Sequence, residues 1–179
     1  MLARCSILGV LTLVASTRPT PSVPRYSLTT WGAIGLTTVG NEARLGLVPM
    51  QVHGRAMLML SLGANDPRAS LMIYLPGDRV PAPGRYRIGE SWDPAPSGDL
   101  VLHATLVAGS PERPTGWFEG EAGWVTIGVG TDGAVTGEFE ISARGFLGVN
   151  PDDEGRRVTV RGSFQAERDR LVAVRGPAR

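Results

Sequence analysis

Residues 135–142 read Val-Thr-Gly-Glu-Phe-Glu-Ile-Ser, and residues 157–165 read Arg-Val-Thr-Val-Arg-Gly-Ser-Phe-Gln. In the first segment Val135, Gly137, Phe139 and Ile141 alternate with Thr136, Glu138, Glu140 and Ser142. In the second, Val158, Val160, Gly162 and Phe164 alternate with Thr159, Arg161, Ser163 and Gln165. A period of two residues is that of a strand with one face in a core and the other in water. With the segment that begins at Trp124, the stretch to Ala166 reads as three consecutive antiparallel strands. Both strands carry a Gly-x-Phe step, and each glycine leaves room for a neighbouring ring.

The connection before Val135 follows from parity. A two-residue Asp132-Gly133 turn would pair Val129 with Thr136 and Ile127 with Glu138, setting apolar residues against polar ones. A three-residue loop of Thr131, Asp132 and Gly133 instead pairs Val129 with Val135, Ile127 with Gly137 and Val125 with Phe139. The second register keeps one face apolar, and Gly133 supplies the left-handed residue that such a loop needs.

Working outward, the same alternation recurs. Leu58, Leu60 and Leu62 share one face, and Leu71, Ile73 and Leu75 form the next inward row, which makes a hairpin. Tyr86 and Ile88 point inward between Arg85 and Arg87. Leu100, Leu102, Ala104 and Leu106 alternate with Val101, His103, Thr105 and Val107. Arg25 to Trp31 reads as a first strand with Tyr26 and Leu28 on one face, whereas residues 32–54 give no single reading. The 24 Gly and 14 Pro fall between these runs, as in an all-β chain rich in turns. No segment reads as a helix of three turns. Roughly nine or ten strands suit two packed sheets better than one open sheet. The expectation is an antiparallel β-sandwich, with a closed β-barrel as the alternative, since alternation alone does not separate them.

A chain of 179 residues with 42% hydrophobic content builds one core, so a single domain over residues 25–179 is expected. The net charge of +1 comes from interspersed residues and offers no basic stripe to displace counterions from phosphates, which argues against nucleic acid. All 18 basic residues are arginine, as a GC-rich genome would encode. At the start, Arg4, the apolar run Ile7 to Ala15, and Val14-Ala15-Ser16 have the order of an export signal over residues 1–16. The run is shorter than the ~20 apolar residues that span a bilayer; a first buried strand is its other reading. Residues 17–24, with Pro19, Pro21 and Pro24, read as an extended linker. The single Cys5 would leave with the signal, so neither a disulfide nor thiol catalysis is expected.

The segments Gly133 to Ala143 and Val158 to Ala166 resemble the closing hairpin of uncharacterised secreted or lipid-anchored β-sandwich proteins of Gram-negative bacteria. Pro81-Ala-Pro-Gly84-Arg-Tyr86 is similar to their middle Pro-Gly-x-Tyr step. The resemblance covers about a third of the chain through structural residues. It implies a β fold and a periplasmic or extracellular location, and offers no catalytic residues. This chain lacks the lipid-attachment cysteine after its apolar run.

Few residues carry chemistry. Gly128-Val-Gly-Thr-Asp-Gly133 has the letters of a dinucleotide fingerprint, but that motif works where a strand enters a helix, and here a strand enters a strand. His53 and His103 have no His, Asp or Glu at ligand spacing and read as ordinary loop and strand residues. Asp152, Asp153 and Glu154 lack the spacing of a calcium loop and read as a solvated turn. No metal or cofactor is expected. The remaining constellation is aromatic. If Gly120 to Gly123 form a loop, Trp117 and Trp124 lie on the outward face beside Glu119 and Thr126, where they stack on a sugar or anchor a protein partner. The bland alternative is that a loop, such as the one carrying Trp92, covers them.

The sequence thus leads to an exported, non-catalytic binding or structural envelope protein with a glycan or protein partner. Its alternatives are a carbohydrate-binding module built on Trp117 and Trp124, and an enzyme whose His-carboxylate site only folding would assemble. Export predicts that the mature protein begins near Thr17. N-terminal sequencing of the protein from its native host checks this, and a retained Met1 or Leu2 overturns it.

Overall fold

A computed structural model describes residues 25–48, 56–90, 99–110, 112–148, 155–169 and 173–174. The expected signal and linker, Cys5, His53, Trp92 and Asp152 to Glu154 lie outside them. The described residues contain twelve strands and no helix: β1 (Arg25–Gly32), β2 (Leu36–Gly40), β3 (Ala43–Leu47), β4 (Met57–Leu62), β5 (Ala69–Pro76), β6 (Arg79–Val80), β7 (Gly84–Gly89), β8 (Val101–Ser110), β9 (Arg113–Val129), β10 (Val135–Leu147), β11 (Arg156–Arg168) and β12 (Ala173–Val174). The all-β expectation is met. No helix among the described residues is long and apolar enough to cross a membrane.

Hydrogen bonds join ten of the strands in one sheet, in the order β10-β9-β7-β8-β5-β4-β3-β11-β1-β2, with β10 also paired to β11 and β9 to β8. The pairings therefore run from β10 through β9, β8, β5, β4, β3 and β11 back to β10. Most are antiparallel, as expected. Two short contacts are parallel: Arg87 and Ile88 of β7 on Val101 and Leu102 of β8, and Glu167 and Arg168 of β11 on Arg44 and Leu45 of β3. The strands they join are not connected as hairpins, so no turn dictates their direction. A separate two-stranded pairing joins β12 to β6.

The parities hold residue by residue. Leu58, Leu60 and Leu62 face Leu75, Ile73 and Leu71 across β4 and β5, and all six are buried. Val135, Phe139, Ile141, Val158, Val160 and Phe164 are buried with them in one core. Val135 pairs with Val129 and Phe139 with Val125. Gly130 and Ala134 close the three-residue loop with a 2.8 Å bond, and Gly133 takes φ +81°. Two strands in the region without a single sequence reading, β2 and β3, are short ones of five residues each.

Along the β10–β11 ladder, Gly137 lies opposite Phe164 and Phe139 opposite Gly162. A methyl on Gly137 would meet the Phe164 ring at 2.8 Å, and one on Gly162 would meet the Phe139 ring at 2.6 Å. Each ring thus occupies the space over the facing glycine, and the two rings stack at 6.5 Å between centroids. Such a pair contributes about 0.5–1.5 kcal/mol beyond the burial of its area. Phe139→Ala should cost ~3–5 kcal/mol, the usual cost of emptying a buried ring site, while Glu138→Ala on the opposite face should stay within ~0.5 kcal/mol. Denaturant titration of both variants checks this, and the reverse order would mean that the faces have been exchanged.

Candidate functional site

The loop expected at Gly120 to Gly123 is absent: β9 runs unbroken for 17 residues. Its glycines serve close approach instead of a turn. A methyl on Gly120 would press on Ile88 at 2.9 Å and on Ala104 at 3.3 Å. Gly123 takes φ +134° beside an irregularity in which Ser142 pairs with Ala122 but Ala143 pairs with Gly120. Glu121 is thus the extra residue of a β-bulge. Trp117 and Trp124 are seven residues apart, an odd number that would put them on opposite faces of a regular strand. The bulge restores the phase, and both indoles face outward with Glu119 and Thr126.

They do not share one hollow. With the bulge absorbing one position, about six rises of strand, or ~20 Å, separate them. Trp124 borders a hollow of about 470 Å³ on the outer face of β1, β11, β10 and β9. Its opposite wall is Trp31, 48% exposed at the end of β1. Thr29, Arg161, Glu140 and Trp124 lie side by side across the four strands. Arg161 Nε donates to Glu140 Oε2 at 3.0 Å, and the Ser27 and Ser163 hydroxyls meet at 3.0 Å. The Arg85 guanidinium lies 4.2 Å from the Trp124 ring centroid and holds the indole from outside the hollow, a contact worth ~0.5–1 kcal/mol at an exposed site. Thr126 stands apart from this lining; its hydroxyl accepts from the Glu138 N–H at 2.8 Å and braces the ladder. Trp31 was legible in the sequence, since Tyr26 and Leu28 inward place residue 31 outward.

Trp117, 40% exposed, borders a second hollow of about 470 Å³ with Glu119, Arg144 and Phe146. Here the fold assembles what spacing hid: His103 Nε2 lies 2.7 Å from Glu119 Oε2 across β8 and β9. Thr105 Oγ1 donates to the same oxygen at 3.0 Å, and Trp117 Nε1 donates to Glu119 Oε1 at 2.5 Å. Burial pushes the Glu119 carboxyl up, but the hydrogen bonds from His103, Trp117 and Thr105 outweigh it and hold the group below the ordinary glutamate value. The pairing could not be read from local spacing, because it depends on the register that sets Thr105 against Glu119. His103, Thr105 and Val107 form the outer row of β8, yet all are buried; Tyr74, directly opposite His103 on β5, and Trp117, opposite Val107, flank them. Among the described residues no group of three or more His, Cys, Asp or Glu could hold a metal ion.

A third polar cluster ties loops together. Asp66 accepts from Tyr26 Oη at 3.0 Å, from Thr38 Oγ1 at 2.5 Å and from Arg68 N at 2.9 Å. Arg68 Nη2 adds an ion pair at 3.1 Å. The cluster pins the β4–β5 connection against β1 and β2. Its donors are spent on one carboxylate, so it reads as a structural clasp.

No protein-family model, curated protein or solved structure matches the chain. The residues themselves therefore carry the functional argument.

Hydrogen bonds from Arg68, with those from Thr38 and Tyr26, hold the Asp66 carboxyl far below the ordinary aspartate value against the opposing effect of burial. A carboxyl depressed on folding stabilises the fold above its unfolded pKa of about 3.9, and that contribution fades as pH falls through the folded value. Asp66→Asn should therefore lower the melting temperature at pH 7, and the gap to the parent protein should narrow as pH falls below about 4. Melting curves across that range check it; a gap independent of pH would show that the charge is not what matters.

Proposed function

We propose that the protein is an exported, non-catalytic binding protein of the bacterial envelope, and that the hollow between Trp31 and Trp124 takes a saccharide. The observation that carries this reading is the pairing of two outward indoles across a floor of hydroxyls and one Arg–Glu pair. Sugars present apolar ring faces edged by hydroxyls. Indoles suit the faces, and side chains that both donate and accept suit the edges. The hollow has the volume of a small-ligand site. Export is supported by Arg4, the apolar run to Ala15 and the small residues after it, and the envelope by the resemblance of the closing hairpin.

The competing reading, an enzyme, is favoured by the His103–Glu119 contact at 2.7 Å. Against it, Glu119 already accepts from three donors and His103 is only 6% exposed. A general base needs a lone pair directed at substrate, and this carboxylate is occupied in joining β8 to β9.

The joint change Trp31→Ala and Trp124→Ala should leave the fold intact while weakening saccharide binding at least about tenfold, or ~1.4 kcal/mol. A glycan array on the parent and the double variant, run beside melting curves, tests this. Undiminished binding would remove the hollow from consideration, and a collapse of stability would mean that the indoles belong to the core.

A further inference from the structure

The two hollows are connected by one strand. The outward row of β10 is Glu138, Glu140, Ser142, Arg144 and Phe146, and each of them is at least partly exposed. Glu138 and Glu140 line the first hollow, and Arg144 and Phe146 line the second. Ser142, exposed, lies between them. The row spans eight rises, about 26 Å. Trp124, opposite Glu140, flanks one end across β9; Trp31, reached through Thr159 of β11, stands level with Ser142; and Trp117, directly opposite Phe146, flanks the other end. From this we infer that the hollows are terminal subsites of one trough along β10, which holds a single extended, uncharged polysaccharide several rings long. The inference rests on the saccharide reading of the first hollow.

Three observations point to that ligand. The trough follows one strand, so its two ends lie along a single path, which suits an extended chain better than a branched or globular one. Its charges are mixed: Glu119, Glu121, Glu138 and Glu140 face Arg85, Arg144, Arg157 and Arg161, and most of these engage one another or an aromatic ring. Arg161 bonds Glu140, while Arg144 and Arg157 both reach Glu121, at 3.6 and 3.4 Å. No surplus of either sign recruits a charged polymer, whereas the row offers carboxylate acceptors at Glu138 and Glu140, a hydroxyl at Ser142 and a guanidinium donor at Arg144, so that acceptors and donors both lie along the path, as the hydroxyls of a sugar chain require. Finally, the aromatic groups are held in place. Arg85 braces Trp124, and Glu119 fixes the Trp117 indole N–H. Side chains fixed before binding lose little freedom on contact. This gives the half-buried His103–Glu119–Thr105 linkage a role at the surface: it fixes the carboxylate that orients Trp117.

Two subsites on one chain convert the second contact into an intramolecular one, so affinity should rise steeply once an oligomer spans both. The test is isothermal titration of the full chain with disaccharide, tetrasaccharide and octasaccharide from three uncharged β-1,4-linked series: glucose, mannose and N-acetylglucosamine. For at least one series the octasaccharide should bind at least about tenfold tighter than the disaccharide, with one octasaccharide per protein molecule. Phe146→Ala and, separately, Trp117→Ala should reduce the octasaccharide to the affinity of the disaccharide and leave the disaccharide unchanged. Oligogalacturonate, as the charged control, should bind more weakly at every length. A disaccharide that binds and is lost in Trp31→Ala, without a length step or with two octasaccharides per molecule, overturns the trough while leaving the first hollow as a saccharide site. Preference for oligogalacturonate overturns the uncharged ligand. Absence of binding in all three series at every length overturns both the trough and the reading beneath it.

Discussion

The reciprocal seating of Phe139 over Gly162 and Phe164 over Gly137 is the contact on which the rest of the molecule depends. A ring that fills the space above a glycine brings its own strand close to the facing one, and the exchange occurs twice in three residues of the same ladder. The two strands are thereby fixed in register as well as in distance, because sliding by one residue would turn the phenylalanine of one strand to the opposite face, and sliding by two would set Phe139 directly against Phe164. β1 then pairs along β11, and β9 along β10. The outer faces of those four strands make the floor of the first hollow. The surface that would meet a ligand is therefore positioned by apolar packing on its underside.

This division of labour explains why the fold was largely legible and the site only partly so. Alternation reports which way a side chain points, and wherever one face was polar it placed residues correctly, from Leu58 to Phe164. It also selected the loop before Val135, because only one register kept like with like. It had less to say about β2 and β3, whose five residues each hold too few alternations to rise above their surroundings. It misread Gly120 to Gly123 because glycine marks both a turn and a close approach of strands, and local sequence does not distinguish the two.

The site was harder to read because its parts come from different strands. Trp117, Trp124 and Glu119 stood out as unusual residues on an outward row, and they do face outward. What could not be read was their company: Trp31 arrives from β1, Phe146 from β10, and His103 from β8. His103 shows the limit best. Its neighbours in sequence are Leu102 and Ala104, yet its hydrogen-bond partner is sixteen positions away, and the strand alternation that placed it outward did not indicate that the outward row would be covered.

The bulge at Glu121 has a consequence for how such a chain can change. It absorbs one residue between two halves of one strand, so the halves keep the same facing with or without it. Were Glu121 deleted, Trp117 and Trp124 would stand six residues apart, an even number that leaves both on the outer face of a regular strand. What would go is the local bend and the ion pairs of Glu121 with Arg144 and Arg157. Deleting a regularly paired residue of β9 has no such outlet: with the ladder held, the side chains on one side of the change would rotate to the other face, sending Phe118 into water and Trp117 into the core. A loss of length that would scramble the strand elsewhere is thus absorbed at this one position.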